Sequence, residues 1–270
     1  GGSGSTGGGS GSTGGGSGST GGGSAGGGTA SGGGSGNACA ADAGYNTPSK
    51  CSCAGFMLCD GFEGAAVDTA TWTLDSMNGT AAIESTRFAR GAKALDLHAT
   101  ATAGSRAILS ETKSFPASGN AFWGRSFIYV DGKAPKVHTG VFEGNGALMS
   151  TKAHVRLGFD NGELRPNYLT ETGTEYGTFG GPPHAIPTNT WACLEWHYNG
   201  PANQYEFYLD EQIMAENTID GTGSQIWKSP AFSAFELGLL LYQNDTATQA
   251  AFDVWFDEFA LSTNRVGCGH

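Results

Sequence analysis

Short stretches of alternating apolar and polar residues recur along the chain from about residue 57 onward. They are rich in Val, Ile, Thr and aromatic residues, and Gly, Asn, Asp and Pro separate them, which is typical of β-strands joined by turns. No window shows the helical period of 3.6 over ten or more residues. So many short strands predict an all-β sandwich or barrel. The predicted strands span 71–75, 80–85, 93–98, 106–111, 122–130, 137–143, 153–159, 164–169, 191–198, 205–210, 212–217, 235–243 and 252–262.

Two of these strands have a polar face with ionisable side chains. In the strand 153–159, three apolar residues alternate with His154 and Arg156. Because side chains at positions i and i+2 share a face, these two are expected to project together from the sheet, while the apolar residues pack in the core. The strand that contains Glu195 and His197 has the same pattern, and we interpret that pair as structural.

The first 36 residues have a composition that cannot bury a core. They comprise 21 Gly, 9 Ser, 4 Thr and 2 Ala, so we predict a disordered linker at 1–36. Residues 37–56 are interpreted as a Cys-containing connector, and 57–270 as one folded β domain, a size that suits a single sandwich. The chain begins with Gly rather than Met, as expected of a processed chain or a fragment. The linker would then tether the domain to an anchor or module that precedes residue 1.

Charge narrows the choice of partners. The chain has 14 Lys and Arg against 25 Asp and Glu, a net charge of −11, which disfavours nucleic acid and anionic membranes. No apolar run approaches the ~18–20 residues of a membrane-spanning helix. Segment 125–165 has six basic residues against four acids, whereas segment 195–260 has one against eleven. The basic segment suits an anionic ligand, provided that the acidic residues lie away from the binding face.

The six cysteines favour disulfides and an oxidising compartment, so we expect a protein that is secreted or tethered at the cell surface. A zinc site is less favoured, because the spacing of Cys51 and Cys53 is poor for structural zinc and no His lies nearby. Six cysteines allow 15 pairings. We expect Cys59 to pair with Cys268, because these two bracket the domain and the termini of sandwiches are often neighbours.

Several longer stretches resemble a known family over about 59–268, namely the secreted fungal cellulose-induced proteins and their bacterial relatives. The core domain of that family is related to the glucuronan lyases, polysaccharide lyase family 20. The resemblance implies a two-sheet antiparallel β-jelly-roll of the concanavalin type. The matching stretches are CDGFEG at 59–64, RFARGAKALDL at 87–97, FWGRSFIYV at 122–130, HVRLGFDNGELRPNY at 154–168, IPTNTWACLEW at 186–196 and VWFDEFALSTNRVGC at 254–268.

The resemblance also implies a polysaccharide lyase that acts by β-elimination. Such an enzyme removes the proton from the carbon that bears the uronate carboxylate, and the glycosidic oxygen leaves from the neighbouring ring carbon. The carboxylate must be neutralised, for which Arg156 is suited, and His154 is a candidate base. The further catalytic candidates are Tyr168, Tyr242 and His138, and the candidate substrate-binding residues are Arg125, Arg165, Asn167 and Gln243.

Other functions remain open at this point. Retaining sandwich glycosidases usually place two Glu on one strand at positions i and i+4. Here only Glu171 and Glu175 have this spacing, and they lie in a Gly- and Thr-rich loop rather than on a strand. This placement disfavours a hydrolase. A non-catalytic carbohydrate-binding module or a cell-surface adhesion protein is the alternative to a lyase. In each case we expect a monomer whose partner is a polysaccharide, and for the lyase one that contains uronate.

A structural calcium ion is a further implication of the resemblance. Its expected ligands are the carboxylates of Glu63 and Asp257 and main-chain carbonyls from Arg90 to Lys93. Clustered carboxylate and carbonyl oxygens are the ligands that calcium prefers.

Overall fold

A computed structural model describes residues 45, 47–148, 151–169, 173–177, 185–222, 227–243 and 250–269. The predicted linker at 1–36 lies outside these residues, and so does Glu171. The described part contains fifteen strands and three short 3-10 helices, and no α-helix. The 3-10 helices are Ser118–Asn120, Gly200–Ala202 and Ala215–Asn217. The strands are β1 (Leu58–Asp60), β2 (Thr73–Met77), β3 (Gly79–Glu84), β4 (Ala94–Ala99), β5 (Arg106–Glu111), β6 (Ala121–Val130), β7 (Thr139–Leu148), β8 (Thr151–Asp160), β9 (Glu163–Leu169), β10 (Glu175–Gly177), β11 (Trp191–Asn199), β12 (Gln204–Leu209), β13 (Gln212–Ile213), β14 (Ala231–Leu241) and β15 (Phe252–Ser262).

The strands form two antiparallel sheets, which confirms the predicted sandwich. The eight-stranded sheet has the order β13-β12-β11-β6-β15-β4-β3, with β1 paired to β15. The seven-stranded sheet has the order β10-β9-β8-β7-β14-β5-β2. Sequence analysis missed β1 and β10, since strands of three residues are too short to show alternation. It also extended β13 too far, because a 3-10 helix follows it. The described ranges hold no helix that is long and apolar enough to cross a membrane.

Aromatic side chains fill the space between the two sheets. Trp196 stacks on Phe235 with ring centroids 5.1 Å apart, and Phe142 packs against Trp196 at 4.5 Å. Gly124 lies opposite Trp196 in the β6–β11 pair, and a Cβ at this glycine would lie 2.1 Å from the indole. The indole therefore occupies space that any side chain at position 124 would need. With the apolar residues turned into this core, the side chains that alternate with them along each strand are directed away from it.

A buried ionic cluster lies in the eight-stranded sheet, where a β-bulge interrupts β15. The carboxylate of Glu258 is fully buried, 3.8 Å from the guanidinium of Arg90 and 3.5 Å from that of Arg125. It also accepts the main-chain N–H of Lys50 at 3.1 Å. Arg125 is therefore buried in the sheet opposite the one that carries His154. The substrate-binding role expected of Arg125 is not supported, because a ligand cannot reach its guanidinium.

The disulfides differ from the expected pairing. Cys51 is bonded to Cys59 and Cys193 to Cys268, and Cys53 is also in a disulfide. The prediction of a Cys59–Cys268 bond is therefore wrong. Its premise was sound, because β1 pairs with β15 and sets Cys59 opposite Ala260. The chain continues beyond β15, however, and brings residue 268 to β11 instead of β1.

Candidate functional site

The alternation in β8 is confirmed, and it directs His154 and Arg156 to the face of the seven-stranded sheet that is turned away from the core. We call this the outer face. Val155, between the two, is fully buried in the core. Arg156 lies between Asn167 on β9 and Glu143 on β7. Strand register thus sets an arginine between an amide and a carboxylate.

The polar side chains continue across the sheet beyond Glu143. Glu236 on β14 is the direct cross-strand partner of Glu143, and Ser110 on β5 is that of Glu236. The Ser110 hydroxyl donates to the Glu236 carboxylate at 3.1 Å. Side chains directly opposite each other on one face have Cβ atoms roughly 5 Å apart. The outer face therefore carries a continuous row of polar groups, Asn167–Arg156–Glu143–Glu236–Ser110, which we call the polar row.

Arg156 is the centre of the hydrogen bonding on the outer face, although only 8% of its side chain is exposed. Its Nε donates to Asn167 Oδ1 at 3.2 Å, and its Nη1 donates to the Tyr242 hydroxyl. The guanidinium also lies over the Tyr242 ring, 4.5 Å from the centroid. Its Nη2 donates to Glu175, and Glu143 lies 3.7 Å from Nη1. These contacts fix the guanidinium plane, so the group can present defined donors to a ligand.

Tyr242 is held over Arg156 by the chain that follows β14. Its main-chain N–H donates to the His138 carbonyl at 3.0 Å, and the two rings pack with centroids 4.8 Å apart. A Cβ at Gly140 would lie 3.4 Å from the Tyr242 hydroxyl, so the ring packs closely on the bare backbone of β7. Gln243 comes next in the chain and is exposed. The structure therefore brings Tyr242 and His138 to the predicted His154–Arg156 pair.

Burial and neighbouring charges shift the ionisation of this site. Burial, and then the positive charge of Arg156, lower the pKa of His154 to about 4, so its imidazole is neutral at neutral pH. Burial and the nearby Glu143 raise the pKa of Tyr242 to about 12, which keeps its phenol protonated. Burial raises the pKa of Glu143 to about 7, with Glu236 adding to the shift and Arg156 opposing it. The site thus combines a neutral imidazole, a protonated phenol and a fixed guanidinium.

Two further predicted residues lie on β9, and they have opposite orientations. Arg165 shares the outer face with Asn167 and is paired with Glu163 at 2.7 Å. Tyr168 is buried in the core, where its ring contacts Tyr176 with centroids 5.6 Å apart. Because Asn167 faces outward, the next residue must face inward. A catalytic role for Tyr168 is therefore not supported, and burial raises its pKa to about 12.

Sequence analysis missed the carboxylates of this face. The condition set for an anionic ligand, that the acidic residues lie away from the binding face, is not met on this face, because Glu143, Glu175 and Glu236 line the same surface as Arg156 and His154. Alternation in the predicted strand 137–143 could have oriented Glu143, but its neighbours come from other strands. A cavity of about 450 Å³ opens beside the polar row, lined by residues that include Glu143, Asn145, Lys152, His154, Ser233 and Glu236.

The expected calcium ligands hold a single segment of chain. The Asp257 carboxylate accepts the main-chain N–H of Arg90 at 2.9 Å, and the Glu63 carboxylate accepts that of Ala92 at 2.9 Å. The Lys93 ammonium donates to a nearby carbonyl at 2.7 Å. Among the described residues, no group of three or more His, Cys, Asp or Glu could hold a metal ion. Calcium would have to replace these amide partners, and the site stays a prediction.

The fold and the outer face together define a two-sheet β-jelly-roll protein with a polar site centred on Arg156. Among solved structures, "Cellulose induced protein, Cip1" is similar, with a TM-score of 0.63 and 18% identity over 78% of this chain and 100% of that chain. An endo-β-1,4-glucuronan lyase from the fungus Trichoderma reesei has a TM-score of 0.58 and 13% identity over 77% and 96%. These likenesses show the fold that the sequence resemblance implied. No family model and no curated protein matches the sequence.

Proposed function

We propose that this protein binds a uronic-acid-containing polysaccharide on the outer face of the seven-stranded sheet and cleaves it by β-elimination. The observation that carries the proposal is the setting of Arg156, whose guanidinium is fixed by Asn167 and Tyr242 beside a neutral His154. The structural likeness to a glucuronan lyase supports the substrate class. The described disulfides support an extracellular location, because such bonds persist in oxidising compartments.

Arg156 would neutralise the substrate carboxylate. Removal of the neighbouring proton delocalises negative charge onto that carboxylate, and preorganised donors stabilise the charge as it develops. A guanidinium offers two parallel N–H donors to a carboxylate, whereas an ammonium acts as a point charge. Asn167, which accepts from Arg156 Nε, orients the fork and turns its amide to the same face.

His154 and Tyr242 would carry the proton transfers. His154 accepts the proton from the carbon next to the carboxylate, and Tyr242 donates one to the leaving oxygen; the C–O bond breaks and a carbon–carbon double bond forms. Arg156 is one cause of the low pKa of His154. A carboxylate bound at Arg156 offsets that positive charge and so opposes the lowering of the imidazole pKa.

The test is release of unsaturated uronate, which absorbs in the ultraviolet because its double bond is conjugated with the carboxylate. We expect wild-type protein to release it from glucuronan or a related polyuronate. His154→Ala should lower the rate about 100-fold or more, as expected for loss of a general base. His197→Ala is the matched control, since His197 also pairs with a glutamate, at 2.9 Å, but on the other sheet.

Three results would count against the proposal. They are no product from any polyuronate, product with the same rate in His154→Ala, or equal loss in both histidine variants. Binding of a polyuronate without product would identify a non-catalytic carbohydrate-binding module instead. That outcome is read from retention on immobilised polysaccharide with the same variants.

A further inference from the structure

We propose that Glu175 occupies the subsite for the substrate carboxylate in the free protein and has to be displaced when a uronate binds. This inference rests on the proposed function for the identity of the ligand. It makes Glu175 a specificity-determining residue that weakens binding of anionic sugars without acting in the chemical step.

The contacts of Glu175 are those expected of a bound carboxylate. Its Oε1 accepts from Nη2 of Arg156 and lies 3.5 Å from Nε2 of His154. It therefore lies against two of the three residues to which the elimination is assigned, Arg156 and His154. The other hydrogen-bond partners of Arg156, Asn167 and the Tyr242 hydroxyl, are uncharged.

Glu143 also faces Arg156, but it is placed differently. Its side chain is 18% exposed, and it lies within the polar row as the cross-strand partner of both Arg156 and Glu236. The Glu175 side chain is 46% exposed and comes from β10, a three-residue strand at the edge of the sheet. Of the two carboxylates, Glu175 is thus the one on the solvent side of the guanidinium. A ligand that approaches from solvent meets it first.

Competition between the two carboxylates follows from electrostatics. If Glu175 remains in place when a uronate approaches, two negatively charged carboxylates lie beside the single guanidinium of Arg156 and repel each other. Exchange releases this repulsion, but it costs the ion pair that Glu175 makes in the free protein. Removing the charge of Glu175 should therefore strengthen binding of uronates and leave neutral sugars unaffected.

The experiment compares Glu175→Gln with wild type and with Glu206→Gln. Glu206 is a matched control, because it too is a carboxylate against a histidine, His197 at 2.9 Å, on the other sheet. The probes are glucuronate and glucose, titrated at low ionic strength and followed by NMR. We expect Glu175→Gln to bind glucuronate about tenfold more tightly than wild type. Glu206→Gln should match wild type, and glucose should not distinguish the proteins.

Adding Arg156→Lys to Glu175→Gln should abolish the gain, since the gain depends on the freed guanidinium. Glu175→Ser is a second variant that removes the charge without introducing a glutamine amide. Its glucuronate binding and its melting temperature are measured in the same way, and the same gain in binding is expected. The inference is overturned if Glu175→Gln binds glucuronate no more tightly than wild type, including the case in which neither binds it. An equal gain in Glu206→Gln would also overturn it, because net charge alone would then explain the effect. Since the readout is binding, a protein that releases no unsaturated product can still pass this test.

Discussion

Replacing Arg156 by Lys keeps the charge of the site and removes its geometry. The ammonium can reach one carboxylate, but it cannot also donate to Asn167 and Tyr242 as the fork does. The variant loses about one charge-assisted hydrogen bond and the stacking on Tyr242, together about 2 kcal/mol of unfolding free energy. For a domain of this size we expect a melting temperature lower by roughly 4–8 °C. Loss of a preorganised donor to the developing charge should lower the elimination rate about 100-fold.

Arg87→Lys provides the matched control for that experiment. Its guanidinium also stacks on an aromatic ring, 4.4 Å from the centroid of Trp255, and pairs with Asp131 at 3.4 Å, far in the fold from the outer face. Both variants are measured by thermal unfolding and by release of unsaturated product. Arg87→Lys should keep the wild-type rate. A folded Arg156→Lys variant with wild-type activity would refute the assigned role, because charge alone would then suffice.

Three other measurements test the remaining features. NMR titration should give His154 a pKa of about 4, so that the imidazole is neutral above this pH and protonated below it. Arg156→Gln should raise this pKa by removing a nearby cation, and an unchanged value would contradict the electrostatic effect assigned to Arg156. Replacing both Cys193 and Cys268 by Ser opens a link between residues that are 75 positions apart in the sequence. The larger chain entropy of the unfolded state should then lower the free energy of unfolding by about 4 kcal/mol. A melting temperature within a degree of wild type would rule out this bond. Chelator should lower the melting temperature through loss of calcium, and Glu63→Gln should abolish this effect; if chelator changes nothing, the calcium site is absent.

Local sequence patterns predicted most of the strands and an all-β sandwich or barrel, and the family resemblance added the two-sheet jelly-roll. Alternation fixes which residues of a strand are buried, so the common orientation of His154 and Arg156 could be predicted from β8 alone. The same rule applied to β9 would have turned Tyr168 inward once Asn167 was placed outward. Its selection as a catalytic candidate rested on residue type rather than on its face.

Pairing between strands that are distant in sequence was decided only by the tertiary structure. Register sets Glu143 and Glu236 opposite each other although 93 positions separate their numbers, and no local pattern encodes that contact. No local pattern encodes the contact of Glu175 with Arg156 either. The same is true of Arg125, which is buried in a pair with Glu258 from β15. Alternation is a property of a single strand, whereas the neighbours of a side chain depend on which strands pair and in which register. For this reason the sequence predicted the basic half of the site, whereas the placement of the carboxylates around Arg156 followed only from the folded sheet.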